Sequence, residues 1–144
     1  MQGRYVARNT ADTVKIAAQF ADCLRGGETV LFFGELGSGK TTFTASLAAA
    51  LGCSETVTSP TFVIMNRYRG RLTVNHFDMY RIDSFDSLYG TGYFDVAGEP
   101  DSVTLVEWGE NVADFLPPPD YTVRVSYGEG EQERIYEISE AEKR

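Results

Sequence analysis

An α/β fold with a central mixed, largely parallel sheet is the architecture this sequence predicts, and three observations predict it. Thr29-Val30-Leu31-Phe32-Phe33 is a continuous β-prone run without polar alternation, as in a strand covered on both faces. A glycine-rich loop follows at once, and Phe43 to Leu51 then reads as an Ala-rich helix stopped by Gly52. Near the other end, runs at Tyr121–Tyr127 and Arg134–Ile138, joined across Gly128-Glu129-Gly130, read as an antiparallel hairpin.

The remaining elements follow in chain order. Arg4–Ala7 reads as a short strand, and Asn9 or Thr10 caps a helix whose Thr13, Ile16, Ala17, Phe20, Ala21, Cys23 and Leu24 recur at helical spacing. Gly26-Gly27 stops it. After the Ala-rich helix, the polar loop Thr58-Ser59-Pro60-Thr61 leads into a strand at Phe62–Tyr68, and the turn Arg69-Gly70-Arg71 returns the chain as a strand at Leu72–Phe77. Asp78 to Asp101 is irregular with short helical pieces, Val103–Val106 is another buried strand, and Pro117-Pro118-Pro119 breaks the chain before the hairpin.

The chain has 144 residues with 42% hydrophobic composition, enough for one core, so a single domain over residues 1–144 is expected. No apolar run approaches the roughly 20 residues of a membrane helix, and a cytoplasmic protein is expected. Cys23 and Cys53 lack partners at metal-site spacing and read as reduced core thiols. With 13 Lys and Arg against 21 Asp and Glu, the formal net charge is -8, which disfavours direct gripping of nucleic acid as the main activity. Arg67, Arg69, Arg71 and Arg81 form a local basic stretch that reads equally as a solvated hairpin edge.

The chemistry concentrates in Gly34-Glu35-Leu36-Gly37-Ser38-Gly39-Lys40-Thr41, which fits the phosphate-binding pattern G-x-x-x-x-G-K-[ST]. Glycines let successive backbone N–H groups turn inward as an anion nest, and the following helix points its positive end at the same place. Lys40 then reaches the outer phosphates, and the Thr41 hydroxyl ligates Mg²⁺. The fold class is therefore a P-loop NTPase-like three-layer fold closed by the C-terminal antiparallel hairpin. A phosphate loop also needs an acid at the end of a neighbouring strand. Glu107, after the stronger apolar run, is assigned to the metal; Asp78 is assigned to positioning the attacking water, its alternative being a turn or capping Asp. Thr61 is either a γ-phosphate sensor or part of a turn feeding a strand. Trp108 lies against the nucleotide, against a partner or in the core, and His76 reads as a structural hydrogen-bonding residue.

Taken together, Gly34 to Phe43, Ser59-Pro60-Thr61-Phe62, His76-Phe77-Asp78-Met79-Tyr80-Arg81 and Leu105-Val106-Glu107-Trp108 closely resemble the TsaE (YjeE) family, in unbroken order from about Thr10 to Trp108. The resemblance implies a small bacterial ATPase needed to make threonylcarbamoyladenosine in tRNAs that read codons beginning with A. It implies action with TsaD and TsaB, which transfer the group from threonylcarbamoyl-AMP and through which tRNA is engaged indirectly. It further implies ATP phosphates at Leu36–Thr41, Mg²⁺ at Thr41 and Glu107, functional roles for Thr42, Thr61, Asp78 and Trp108, and a nucleotide contact near Thr10. The chain departs from the family pattern after Arg81, where Asp86-Ser87-Leu88-Tyr89-Gly90-Thr91-Gly92 is short and broken by glycine. Two other classes share the loop: a kinase of a nucleoside or metabolite, which needs an arginine-bearing lid, and a nucleotide-gated binding module without turnover. A guanine-specific switch is disfavoured, since no Asn-Lys-x-Asp segment is present.

Overall fold

The computed structural model describes residues 1–34, 40–55, 57 and 65–141. Among the described residues, seven strands form one sheet in the order β1-β7-β6-β2-β5-β4-β3. They are β1 (Gly3–Ala7), β2 (Thr29–Gly34), β3 (Met65–Tyr68), β4 (Thr73–Asp78), β5 (Ser102–Glu107), β6 (Tyr121–Tyr127) and β7 (Arg134–Glu140). The central strands run parallel: β2 lies between β5 and β6, and β4 continues beside β5. Both edges turn antiparallel, through β3 on one side and the β6–β7 hairpin with β1 on the other.

Strand parity builds two cores. Val30 and Phe32, Val74, Val103 and Leu105, and Val123 and Val125 face the helices α1 (Thr10–Cys23) and α2 (Lys40–Ala50). From those helices Ile16, Ala17, Phe20, Phe43, Leu47 and Ala48 fill the same core. The opposite parity sends Leu31, Phe77 and Val106 into a second core, covered by Leu88 of α3 (Phe85–Tyr89), Tyr93 of α4 (Tyr93–Val96) and Val112. Three layers result, the second outer one assembled from short pieces.

Local chemistry accounts for the ends of these elements. The Asn9 side chain accepts from the Asp12 N–H at 2.9 Å and caps α1, while Ser84 accepts from the Ser87 N–H and caps α3. Helix α2 begins at Lys40, three residues before the apolar pattern that marks it in the sequence. The two thiols are free but only partly buried, which corrects the expectation of core cysteines. Cys23 sits at the end of α1, where its thiol donates to the Gln19 carbonyl; Cys53 follows α2, and burial, with Glu55 nearby, pushes its thiol up. Of the basic stretch, Arg67 pairs with Glu99 and Arg71 donates to the Ala21 carbonyl, tying the hairpin to α1. Among the described residues no helix is long and apolar enough to cross a membrane.

Candidate functional site

The face that is apolar in the middle of the sheet turns polar at the C-terminal ends of its parallel strands. On β4 the sequence Val74, His76, Asp78 shares one side, and on β5 so does Val103, Leu105, Glu107. The register sets Asp78 opposite Glu107. Strand β2 ends beside them at Gly34, and α2 begins on this side with Lys40. Ligands of open α/β sheets bind at this edge, because loops and helix N-termini converge there.

Six of the residues singled out in the sequence, Lys40, Thr41, His76, Asp78, Glu107 and Trp108, meet here. Lys40, 6% exposed, donates from Nζ to the Gly34 carbonyl at 2.9 Å and stands 4.3 Å from the centroid of the Trp108 ring. Thr41 donates from its hydroxyl to Glu107 Oε1 at 3.3 Å. The other carboxylate oxygen of Glu107 lies 2.7 Å from His76 Nε2, and both side chains are buried. Asp78 accepts the Tyr80 N–H at its Oδ1 at 3.0 Å, so it forms the turn expected of an aspartate there as well as facing the site. Burial pushes the Asp78 carboxyl up, helped by the like charge of Glu107, while the Tyr80 N–H and the Lys40 ammonium oppose the rise.

Trp108 holds its place by an unusual backbone. Its φ of 62° makes it the one non-glycine residue with positive φ among the described residues. Gly109 follows so close to β2 that a Cβ there would lie 3.2 Å from Leu31 and Phe33. The chain therefore turns sharply off β5, and the half-buried indole is delivered over Lys40 with Tyr80 packed edge-on against it.

A second cleft, of about 250 Å³, opens where α1 and α2 both begin. Thr10, Thr13 and Thr42 line one side, and Gln132, Arg134 and Tyr136 of the closing hairpin line the other. Thr13 and Tyr136 hydrogen-bond across it at 3.2 Å, and Arg134 is braced by the carbonyls of Glu131 and Glu133. The sequence reading picked Thr10 and Thr42 but missed Arg134 and Tyr136. Alternation along β7 marks Tyr136 as inward-facing, yet no motif says that it meets α1. Glu35, Leu36, Gly37, Ser38, Gly39 and Thr61 lie outside the described residues.

Comparison with known proteins points one way. Residues 7–136 match the family model described as threonylcarbamoyl adenosine biosynthesis protein TsaE. The chain is 40% identical over 124 residues to a tRNA threonylcarbamoyladenosine biosynthesis protein TsaE of Treponema pallidum, covering 85% of this chain and 89% of that relative. It is 39% identical over 111 residues to the Bacillus subtilis protein of the same description, covering 76% and 68%. Among solved structures, the crystal structure of YdiB from Bacillus subtilis superposes with a TM-score of 0.78 at 30% identity, covering 99% of this chain and 87% of that one.

Proposed function

The chain belongs to the TsaE family of tRNA threonylcarbamoyladenosine biosynthesis proteins, and from that premise we propose that it binds and hydrolyses Mg-ATP in support of a TsaD–TsaB complex. The observation that carries the reading is the meeting of Thr41 and Glu107. A hydroxyl at the start of α2, on the last residue of the segment that fits the phosphate-loop pattern, and a buried carboxylate at the end of β5 lie 3.3 Å apart.

These two oxygen donors suit Mg²⁺, a hard cation that takes few protein ligands and completes its shell with phosphate oxygens and water. Held by Thr41 and Glu107, Mg²⁺ would supply charge neutralisation on the phosphates. Lys40, which donates to the Gly34 carbonyl beneath the Trp108 ring, would give its ammonium to phosphate oxygens. Asp78 faces the same place from β4, where burial raises its carboxyl, and positions the attacking water. The cleft at Thr10, Thr42 and Arg134 is the position for the rest of the nucleotide.

Two features support a partner complex. A net charge of -8 disfavours direct tRNA binding, leaving tRNA to the partners. Phe85, Tyr89 and Phe94 stand 38–67% exposed with their rings 5.8–6.3 Å apart, a contiguous aromatic patch of the kind that buries against another protein. The deciding experiment is phosphate release from Mg-ATP by the protein alone and with TsaD–TsaB. Slow turnover that the complex accelerates is expected. Binding without turnover in both settings overturns the ATPase reading, and a phosphorylated small-molecule product replaces it with a kinase.

A further inference from the structure

His76 is fully buried, and the proposed water and metal chemistry gives it no task. Its Nε2 lies 2.7 Å from Glu107 Oε2, while its Nδ1 has no hydrogen-bond partner among the described residues. That asymmetry assigns the proton. A buried N–H without an acceptor is costly, and a carboxylate needs a donor, so Nε2 carries the hydrogen facing Glu107 and Nδ1 is bare. The ring itself is fixed by β4, where Asn75 and Phe77 on either side are fully buried, and it lies 6.1 Å from the Tyr68 ring.

Glu107 is thus held at both oxygens, by two donors of different kinds. Thr41 grips Oε1 at 3.3 Å through a hydroxyl on the phosphate-loop helix, and His76 grips Oε2 at 2.7 Å through a ring locked in the sheet. Only the Thr41 hydroxyl is itself a metal donor in the proposed reading, so only that grip must change when the metal arrives. The His76 bond can persist throughout.

We propose that His76 is a positioning residue that fixes the rotamer of Glu107 so that its remaining lone pairs face the metal position beside Thr41. The inference rests on the Mg-ATP reading above. Outer partners of this kind orient metal-ligating groups and raise their donor strength, and losing one typically lowers metal affinity about 10- to 100-fold.

The test compares two amide substitutions. In His76→Gln the side-chain nitrogen reaches the position of the imidazole Nε2; in His76→Asn it stops near Nδ1 and cannot reach Glu107. Mn²⁺ affinity of the ATP complex, read by electron paramagnetic resonance, should fall about 10- to 100-fold in His76→Asn and recover in His76→Gln. Calorimetric binding of ATP without metal should match wild type in both, with thermal melting as the measure of folding. Two variants with equal melting temperatures and equal Mn²⁺ affinity overturn the positioning role, as do two variants that lose affinity only in proportion to lost stability. A wild-type protein that binds ATP but no Mn²⁺ overturns the metal reading and the inference with it; one that binds neither overturns the nucleotide reading.

Discussion

Replacing Trp108 by Ala and by Gly separates what its ring contributes from what its backbone costs. Truncating a fully buried Trp to Ala costs about 3–5 kcal/mol, and this half-buried indole is worth about half of that. The Lys40 ammonium over its face and the Tyr80 ring against its edge account for about 1 kcal/mol of the loss. Trp108→Ala is therefore expected to destabilise by roughly 1.5–2.5 kcal/mol. Trp108→Gly loses the same contacts, but the left-handed conformation, which costs a non-glycine residue roughly 1–2 kcal/mol, becomes free. The looser unfolded chain offsets about 0.4–1 kcal/mol of that gain. Glycine should thus be the better replacement by about 0.5–1 kcal/mol, or about 2–3 °C in melting temperature for a chain of this size. Urea unfolding followed by circular dichroism reads the difference without needing the indole. Nucleotide affinity should be the same in both variants, because both lack the ring. If Trp108→Gly is no more stable than Trp108→Ala, the backbone at Trp108 stores no strain.

Lys40→Ala should weaken Mg-ATP binding about 10- to 100-fold and abolish turnover, while Thr41→Ala should lose mainly the Mg²⁺-dependent part of the affinity; isothermal calorimetry with and without Mg²⁺ distinguishes them. Asp78→Asn keeps the oxygen that accepts the Tyr80 N–H and should lower phosphate release about 100-fold or more. The same variant should melt above wild type at pH 7. Burial raises the folded-state pKa of Asp78, so its contribution is intact below the unfolded carboxylate range and is lost as pH rises through the raised value. The gap between the melting curves should accordingly close in acid, and a gap that widens there contradicts the sign. Phe85→Ser combined with Tyr89→Ser should weaken binding to TsaD–TsaB about 10-fold or more by biolayer interferometry, with little change in melting because both rings are exposed. Unchanged affinity would move the docking surface elsewhere.

The parts of the molecule legible in its sequence are those whose signal is local. The apolar run of β2 and the alternation of Tyr121, Val123 and Val125 each state their own environment, and β6 falls on the residues expected. Asn9 likewise announces α1 through its side chain. What was not legible depends on which strands become neighbours. Nothing in Tyr121–Tyr127 says that it lies parallel to β2, and that pairing carries Arg134 and Tyr136 to the cleft beside Thr10. His76 and Glu107, 31 positions apart, share a face by parity, but their bond requires β4 to pair with β5 in one particular register. The left-handed turn at Trp108 has no glycine to signal it, because the strain there is offset by tertiary contacts.

The pairing of β1 with β7 also orders events in the making of the protein. Lys40, Thr41 and Glu107 are all synthesised before the Tyr121–Glu140 hairpin exists, and β2, β4 and β5 can pair without it. The cleft at Thr10 cannot form that early. Its Thr13–Tyr136 bond spans 123 positions, and β1 has no strand to lie against until β7 has left the ribosome. A chain stalled after β5 would carry Lys40, Thr41 and Glu107 but only one wall of the cleft. Closure of the cleft is therefore tied to the synthesis of β7, and a copy truncated before it would lack the wall that Arg134 and Tyr136 supply.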